Sequence, residues 1–152
     1  MNATLRKSEF DVSSPVGPWS RQLHAASTDI ASTQALTLAS VEWQIAVHQR
    51  LGHLMRLERG WDGYGGLPVK REVLQFALRI LAAVMDDTAV SPQIVPISDG
   101  SLQLEWHKRD VHLEVHVLAP YRVQVVYERN AQEDEFDVVG NFARIQQLVP
   151  AR

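Results

Sequence analysis

The chain has 152 residues, with 15 Lys+Arg against 18 Asp+Glu, a formal net charge of −3 at pH 7 and no cysteine. That length fits one domain. The charge balance excludes the strongly basic character of a dedicated nucleic-acid binder and is too mild for mimicry of DNA by acidity alone. Without cysteine there are no disulfides, thiolate nucleophiles or cysteine zinc sites, which fits a reducing, cytoplasmic setting. Hydrophobic residues make up 45% of the chain, with four Trp, four Phe and three Tyr, a composition of globular type. The longest unbroken apolar run, Ile80 to Met85, is far short of the roughly 20 residues needed to span a bilayer, so no membrane partner is expected. No basic segment followed by an apolar one opens the chain, and a secretory signal is not expected either.

Residues 1–31 scatter Ser, Thr, Pro and Gly around isolated apolar residues and show neither helical nor strand period. They read as a flexible leader, or as a segment that orders on a partner through Phe10, Trp19 and Leu23. The stretch 32–149 reads as a single α+β domain. Helical periodicity begins near Thr33. Trp43, Val47, Leu51, Leu54 and Leu57 recur at spacings of three and four, and Gly60 is placed to end the helix as a left-handed cap. Gly52 inside that stripe marks either a close backbone approach or a tolerated surface glycine. A second helix should start just after Pro68, with Val73, Phe76, Ala77, Ile80, Leu81 and Val84 on its apolar face.

From Gln93 the period changes to two. Asp99-Gly100 is a hairpin signal of type I′, which would pair Ile97 with Leu102 and Val95 with Leu104. Closure of the next hairpin on Arg109-Asp110 pairs Trp106 with Leu113, Leu104 with Val115 and Leu102 with Val117. A third turn at Leu118-Ala119-Pro120 would pair Val115 with Val123 and Leu113 with Val125. The three hairpins agree on one apolar face, which gives a four-stranded antiparallel meander with two helices over it. The tail is harder to place. Glu128 to Asp137, with five acids and one Arg, reads as a solvated loop, although Phe136 and Val138 alternate as in a short fifth strand. Asn141 to Val149 has the pattern of a short terminal helix.

Two places carry candidate chemistry. Gly60-Trp61-Asp62-Gly63-Tyr64-Gly65-Gly66 lacks a preceding strand and a following Lys-Ser/Thr pair, so it fails as a phosphate loop. It reads instead as an interhelical turn in which Trp61 plugs the core, Asp62 accepts backbone N–H groups and Tyr64 is displayed. The register of the strands puts Gln103, Glu105 and His107 opposite His116, Glu114 and His112 on the face away from the helices. The third hairpin would add Arg122 beside His116 and Gln124 beside Glu114. Glu105 and Glu114 directly opposite one another repel unless a proton, a cation or an Arg lies between them.

The glycine-rich loop, Pro68, the second helix, Pro92 and Pro96, and Asp99-Gly100 ahead of Glu105-Trp106 together resemble a widespread group of small bacterial proteins. These carry a G-W-D-G-Y-G-A loop and a later D-G-x-x-L-E-W hairpin, often on mobile or accessory DNA. The resemblance covers about residues 50–128; the chain departs from the group at Gly66, where Ala is commoner, and adds a long leader. It implies a fold and an accessory genomic setting, in which antitoxins and inhibitors of host defence complexes such as CRISPR systems are common.

The resulting expectation is a cytoplasmic, non-enzymatic inhibitor or neutraliser of a protein partner. Recognition would use Glu105, His107, His112, Glu114, His116, Arg122 and Tyr64, with no cofactor and no catalytic set. Two alternatives stand beside it. One is a metal-dependent hydrolase on the Glu105/Glu114/His face. The other is a nucleic-acid-binding regulator using Arg50, Arg56, Arg59, Lys70, Arg71 and Arg79 around the helical junction.

Overall fold

The computed structural model describes residues 43–152. The expected leader, its anchors Phe10, Trp19 and Leu23, and the boundary near residue 31 lie outside the described residues. Helix α1 is described over 43–54, α2 spans Arg71–Val84 and α3 spans Ala143–Leu148. Between α2 and α3 run β1 (Gln93–Pro96), β2 (Leu102–Lys108), β3 (Val111–Ala119), β4 (Arg122–Arg129) and β5 (Gln132–Val138). They form one antiparallel meander in the order β1-β2-β3-β4-β5. The architecture is α+β, with the helices on one face of the sheet.

Alternation builds that face. Ile94, Leu102, Leu104, Trp106, Leu113, Val115, Val117, Val123, Val125 and Val138 all point inward and are buried. Against them α2 lays Val73, Leu74, Phe76, Ala77, Ile80, Leu81 and Val84, α1 lays Val47, Leu51 and Leu54, and α3 contributes Ile145. Trp106 is fully buried at the centre, and its indole N–H donates to the Val90 carbonyl at 2.8 Å.

The β2–β3 pairing has the expected register, with Trp106 opposite Leu113 and Leu102 opposite Val117. The other hairpins depart from expectation in instructive ways. Asp99-Gly100 does not make a two-residue turn. Gly100 N–H donates to the Ile97 carbonyl and Ile97 N–H to the Ser101 carbonyl, which closes a three-residue loop over Ser98, Asp99 and Gly100 with Gly100 at φ +85°. The extra residue slips β1 by one, so Ile94 and Pro96 oppose Leu104 and Leu102 and Val95 opposes Gln103. At the third turn the chain runs on to Pro120-Tyr121, Tyr121 takes φ +63°, and a bulge lies between Val117 and Ala119. Val115 therefore meets Val125 rather than Val123, and Leu113 meets Tyr127 rather than Val125. Packing tolerates the strained Tyr121, whose ring stands 5.0 Å from that of Phe76.

The acidic tail is a strand. Asn130 and Ala131, both at positive φ, turn the chain so that β5 pairs along the whole of β4. Phe136 faces inward beneath the guanidinium of Arg144, which lies 3.5 Å from the ring centroid.

Helix α1 ends near Leu54 rather than at Gly60. From there Arg56 N–H bonds the His53 carbonyl and Leu57 N–H the Leu54 carbonyl, so single turns carry Leu57 onto the core. Trp61 is not a core plug. It is half-buried outside the core cluster and donates its indole N–H to the Leu67 carbonyl at 2.9 Å, strapping its own loop. The two tryptophans should therefore separate in denaturant unfolding: Trp106→Ala is expected to cost about 3–5 kcal/mol, and Trp61→Ala about 1 kcal/mol, the loss of one hydrogen bond. A Cβ at Gly52 would meet nothing within 4 Å, so it is a surface glycine on the helix. Gly52→Ala should raise stability by about 1 kcal/mol in the same measurement.

Candidate functional site

Three cross-strand rows of outward-facing residues run across β2 to β5. Gln103, His116, Gln124 and Asp137 form the first, Glu105, Glu114, Val126 and Glu135 the second, and His107, His112, Glu128 and Glu133 the third. No described helix lies over these rows. Six carboxylates, those of Glu105, Glu114, Glu128, Glu133, Glu135 and Asp137, thus share one face, and they become denser toward β5.

The structure brings together the expected pairs on β2 and β3 and shows how Glu105 and Glu114 avoid each other. Gln103 donates its amide to the Glu114 carboxylate at 2.7 Å. Glu105 turns the other way, where the His107 Nε2 lies 3.2 Å from its carboxylate. Neither carboxylate turns to an arginine. Arg122 does not stand beside His116, as the slipped turn places it opposite Ala119, in an open cavity of ≈ 240 Å3 lined also by Tyr121, Asp137 and Val139. His116 faces Gln124 instead, and Glu114 faces Val126.

His107 and His112 lie directly across from each other with their Nδ1 atoms 3.0 Å apart and their rings edge to face. A carboxylate only accepts, so the His107 Nε2 carries the hydrogen bonded to Glu105. The His107 Nδ1 is then a lone pair, and between neutral rings the hydrogen in that contact belongs to His112.

Asp99, Ser101 and His116 also meet, a juxtaposition the sequence does not reveal because it joins the hairpin loop to β3. Ser101 is buried, and its Oγ is 2.9 Å from the His116 Nε2. The Ser101 hydroxyl, and after it the Ser101 N–H, hold the Asp99 carboxyl below its ordinary value of 3.8. The chain of donors thus runs from His116 through Ser101 to Asp99. A hydrolytic triad needs the carboxylate on the imidazole and an accessible hydroxyl. Here the carboxylate sits on the serine and the serine is covered, so the trio locks the loop.

Tyr64 is 96% exposed at the tip of the glycine-rich loop. Beneath it the Asp62 carboxylate accepts the backbone N–H groups of Tyr64 and Gly66 at 2.9 and 2.8 Å. Those bonds lower the Asp62 pKa, with the Tyr64 N–H the larger cause. Leu67 N–H donates to the Ser98 carbonyl and Lys70 N–H to the Gly100 carbonyl, which seats the loop on the β1–β2 turn. Of the basic residues at the junction, Arg50 is committed to the Ile94 carbonyl at 2.8 Å, and the Lys70 stem lies against Gly100.

The fold and these surfaces define a small α+β domain with one helix-covered sheet face and one acidic face that no described helix covers. Comparison with known proteins finds no matching family model, no matching curated protein and no matching solved structure. Among the described residues no helix is long and apolar enough to cross a membrane, and no group of three or more His, Asp or Glu converges to hold a metal ion.

Three aspartates, Asp62, Asp86 and Asp99, have lowered pKa values. At Asp86 the Thr88 hydroxyl is the first cause and its N–H the second. A depressed carboxylate adds stability that is complete above its unfolded value and is lost as pH falls through the folded one. Melting temperature should hold down to about pH 4 and fall below it. The triple variant Asp62→Asn, Asp86→Asn, Asp99→Asn keeps the acceptor oxygens without the charge and should show a shallower acid limb.

Proposed function

We propose that the chain is a non-enzymatic protein-binding inhibitor or neutraliser, antitoxin-like or CRISPR-inhibitor-like, whose outer sheet face docks on a basic surface of its partner. The observation that supports this reading is the open face itself: six carboxylates in register on β2 to β5, uncovered by any described helix. A sheet of this breadth presents a broad, shaped and charged platform. Such a platform suits electrostatic steering and specificity toward a basic partner. Tyr64, on a loop held rigid by Asp62, supplies a separate aromatic contact of the kind that anchors interfaces. Arg50 of the helical junction is spent on the Ile94 carbonyl, which removes one cation from the nucleic-acid reading. The hydrolase reading has only the His107–His112 pair to stand on.

The test is retention of a protein from bacterial lysate on the immobilised chain. Wild type is compared with a variant carrying Glu128→Lys, Glu133→Lys and Glu135→Lys, all exposed, after circular dichroism has shown both folded. A partner held by the acidic face should be retained by wild type, be released as salt is raised, and be lost by the variant. Equal retention by both chains, or no retained protein at micromolar concentration, refutes the reading. Glu105→Gln should leave melting unchanged or raise it, because it removes a like-charge repulsion across the strands.

A further inference from the structure

We infer that His107 and His112 form a two-nitrogen binding site for a borderline divalent cation, Zn2+ or Ni2+ in chemical class, on the outer sheet face. Four observations carry it. The two residues are direct cross-strand partners, so the rigid ladder rather than a loop sets the spacing of their side chains. Their Nδ1 atoms are 3.0 Å apart. Two imidazole nitrogens bound to one ion at about 2.0–2.1 Å stand roughly 2.9 Å apart at a right angle and roughly 3.3 Å apart at the tetrahedral angle. The observed separation falls between those limits, so the spacing of the two nitrogens suits one ion once each ring has rotated off the hydrogen-bond axis to turn its lone pair toward it.

The third observation is Glu105. By accepting the Nε2–H of His107 it fixes the tautomer and leaves the Nδ1 lone pair aimed at His112, the carboxylate–histidine arrangement that orients metal ligands. The fourth is the field. The site sits among Glu105, Glu114, Glu128 and Glu133, with Glu128 opposite His112 in register, so the local charge favours a cation. Binding moves one hydrogen: His112 gives up its Nδ1–H and takes the Nε2–H tautomer, with no net loss of a proton from the neutral rings. Two protein nitrogens then hold the ion, and water fills its remaining positions. The inference stands apart from the partner reading, since it concerns an ion whose ligands, His107 and His112, are not among the residues reversed above.

The experiment is calorimetric titration of the untagged full chain with Zn2+ and, separately, Ni2+, after chelator treatment and buffer exchange. Saturable binding of one ion per chain is expected. Both His107→Gln and His112→Gln should weaken it at least tenfold, and Glu105→Ala should weaken it about tenfold. The double variant His48→Gln, His53→Gln, on α1, should bind as wild type does. Absence of saturable binding by wild type at millimolar ion, or unchanged affinity in both histidine variants, overturns the site. Should one histidine variant fail to fold by circular dichroism, the other decides. Should both fail, the imidazole nitrogen resonances of the wild type decide: shifts at His107 and His112 on adding Zn2+ support the site, and shifts only elsewhere overturn it.

Discussion

Two backbone hydrogen bonds, from Leu67 N–H to the Ser98 carbonyl and from Lys70 N–H to the Gly100 carbonyl, fix where α2 begins relative to the sheet it covers. Everything inward depends on that seat. Helix α2 buries seven side chains, and their depth against the Trp106 and Val115 layer follows from where the helix starts. The seat requires close approach: a Cβ on Gly100 would lie 3.1 Å from the Pro68 carbonyl oxygen, and φ there is +85°. Only glycine satisfies both conditions without strain. The glycine-rich loop and the Asp99-Gly100 turn, well separated in sequence, are therefore two halves of one junction. Asp62 stiffens the first half by accepting two backbone N–H groups, and Asp99 the second by accepting that of Ser101.

What the sequence disclosed follows from which signals are local. The β2–β3 register was legible because Arg109-Asp110 is a two-residue turn between strands of unbroken alternation, so every pairing of Gln103, Glu105 and His107 came with it. The β1 register was not, because Asp-Gly serves both the two-residue turn and the three-residue loop with a left-handed glycine, and the two differ by one residue. Tyr121 concealed the next turn, since a left-handed tyrosine has no sequence signature and is held there by Phe76. Ala131 concealed the last turn for the same reason. The expected burial of Trp61 failed on a different ground: its indole N–H bonds a carbonyl inside its own loop, so the ring straps that loop rather than entering the core.

The candidate face was half legible. Its β2 and β3 columns were read residue by residue, but Arg122 was placed wrongly because it inherited the slipped third turn. Its β5 column lay between two readings, because five acids in ten residues look like a loop while Phe136 and Val138 alternate as in a strand, and the structure follows the alternation. The trio Asp99, Ser101 and His116 needed a long-range contact between hairpin loop and β3, which no local pattern encodes.

Among the described residues, strand β5 closes one side of the sheet and pairs with β4 alone, so its outer backbone groups form an edge. Such edges invite a second strand to add, and charged side chains along them are a common safeguard. Here Glu133, Glu135 and Asp137 line one side of that edge, while Asp134 on the other is tied to Arg144. The same carboxylates that make the face acidic therefore also keep copies of this chain from joining edge to edge.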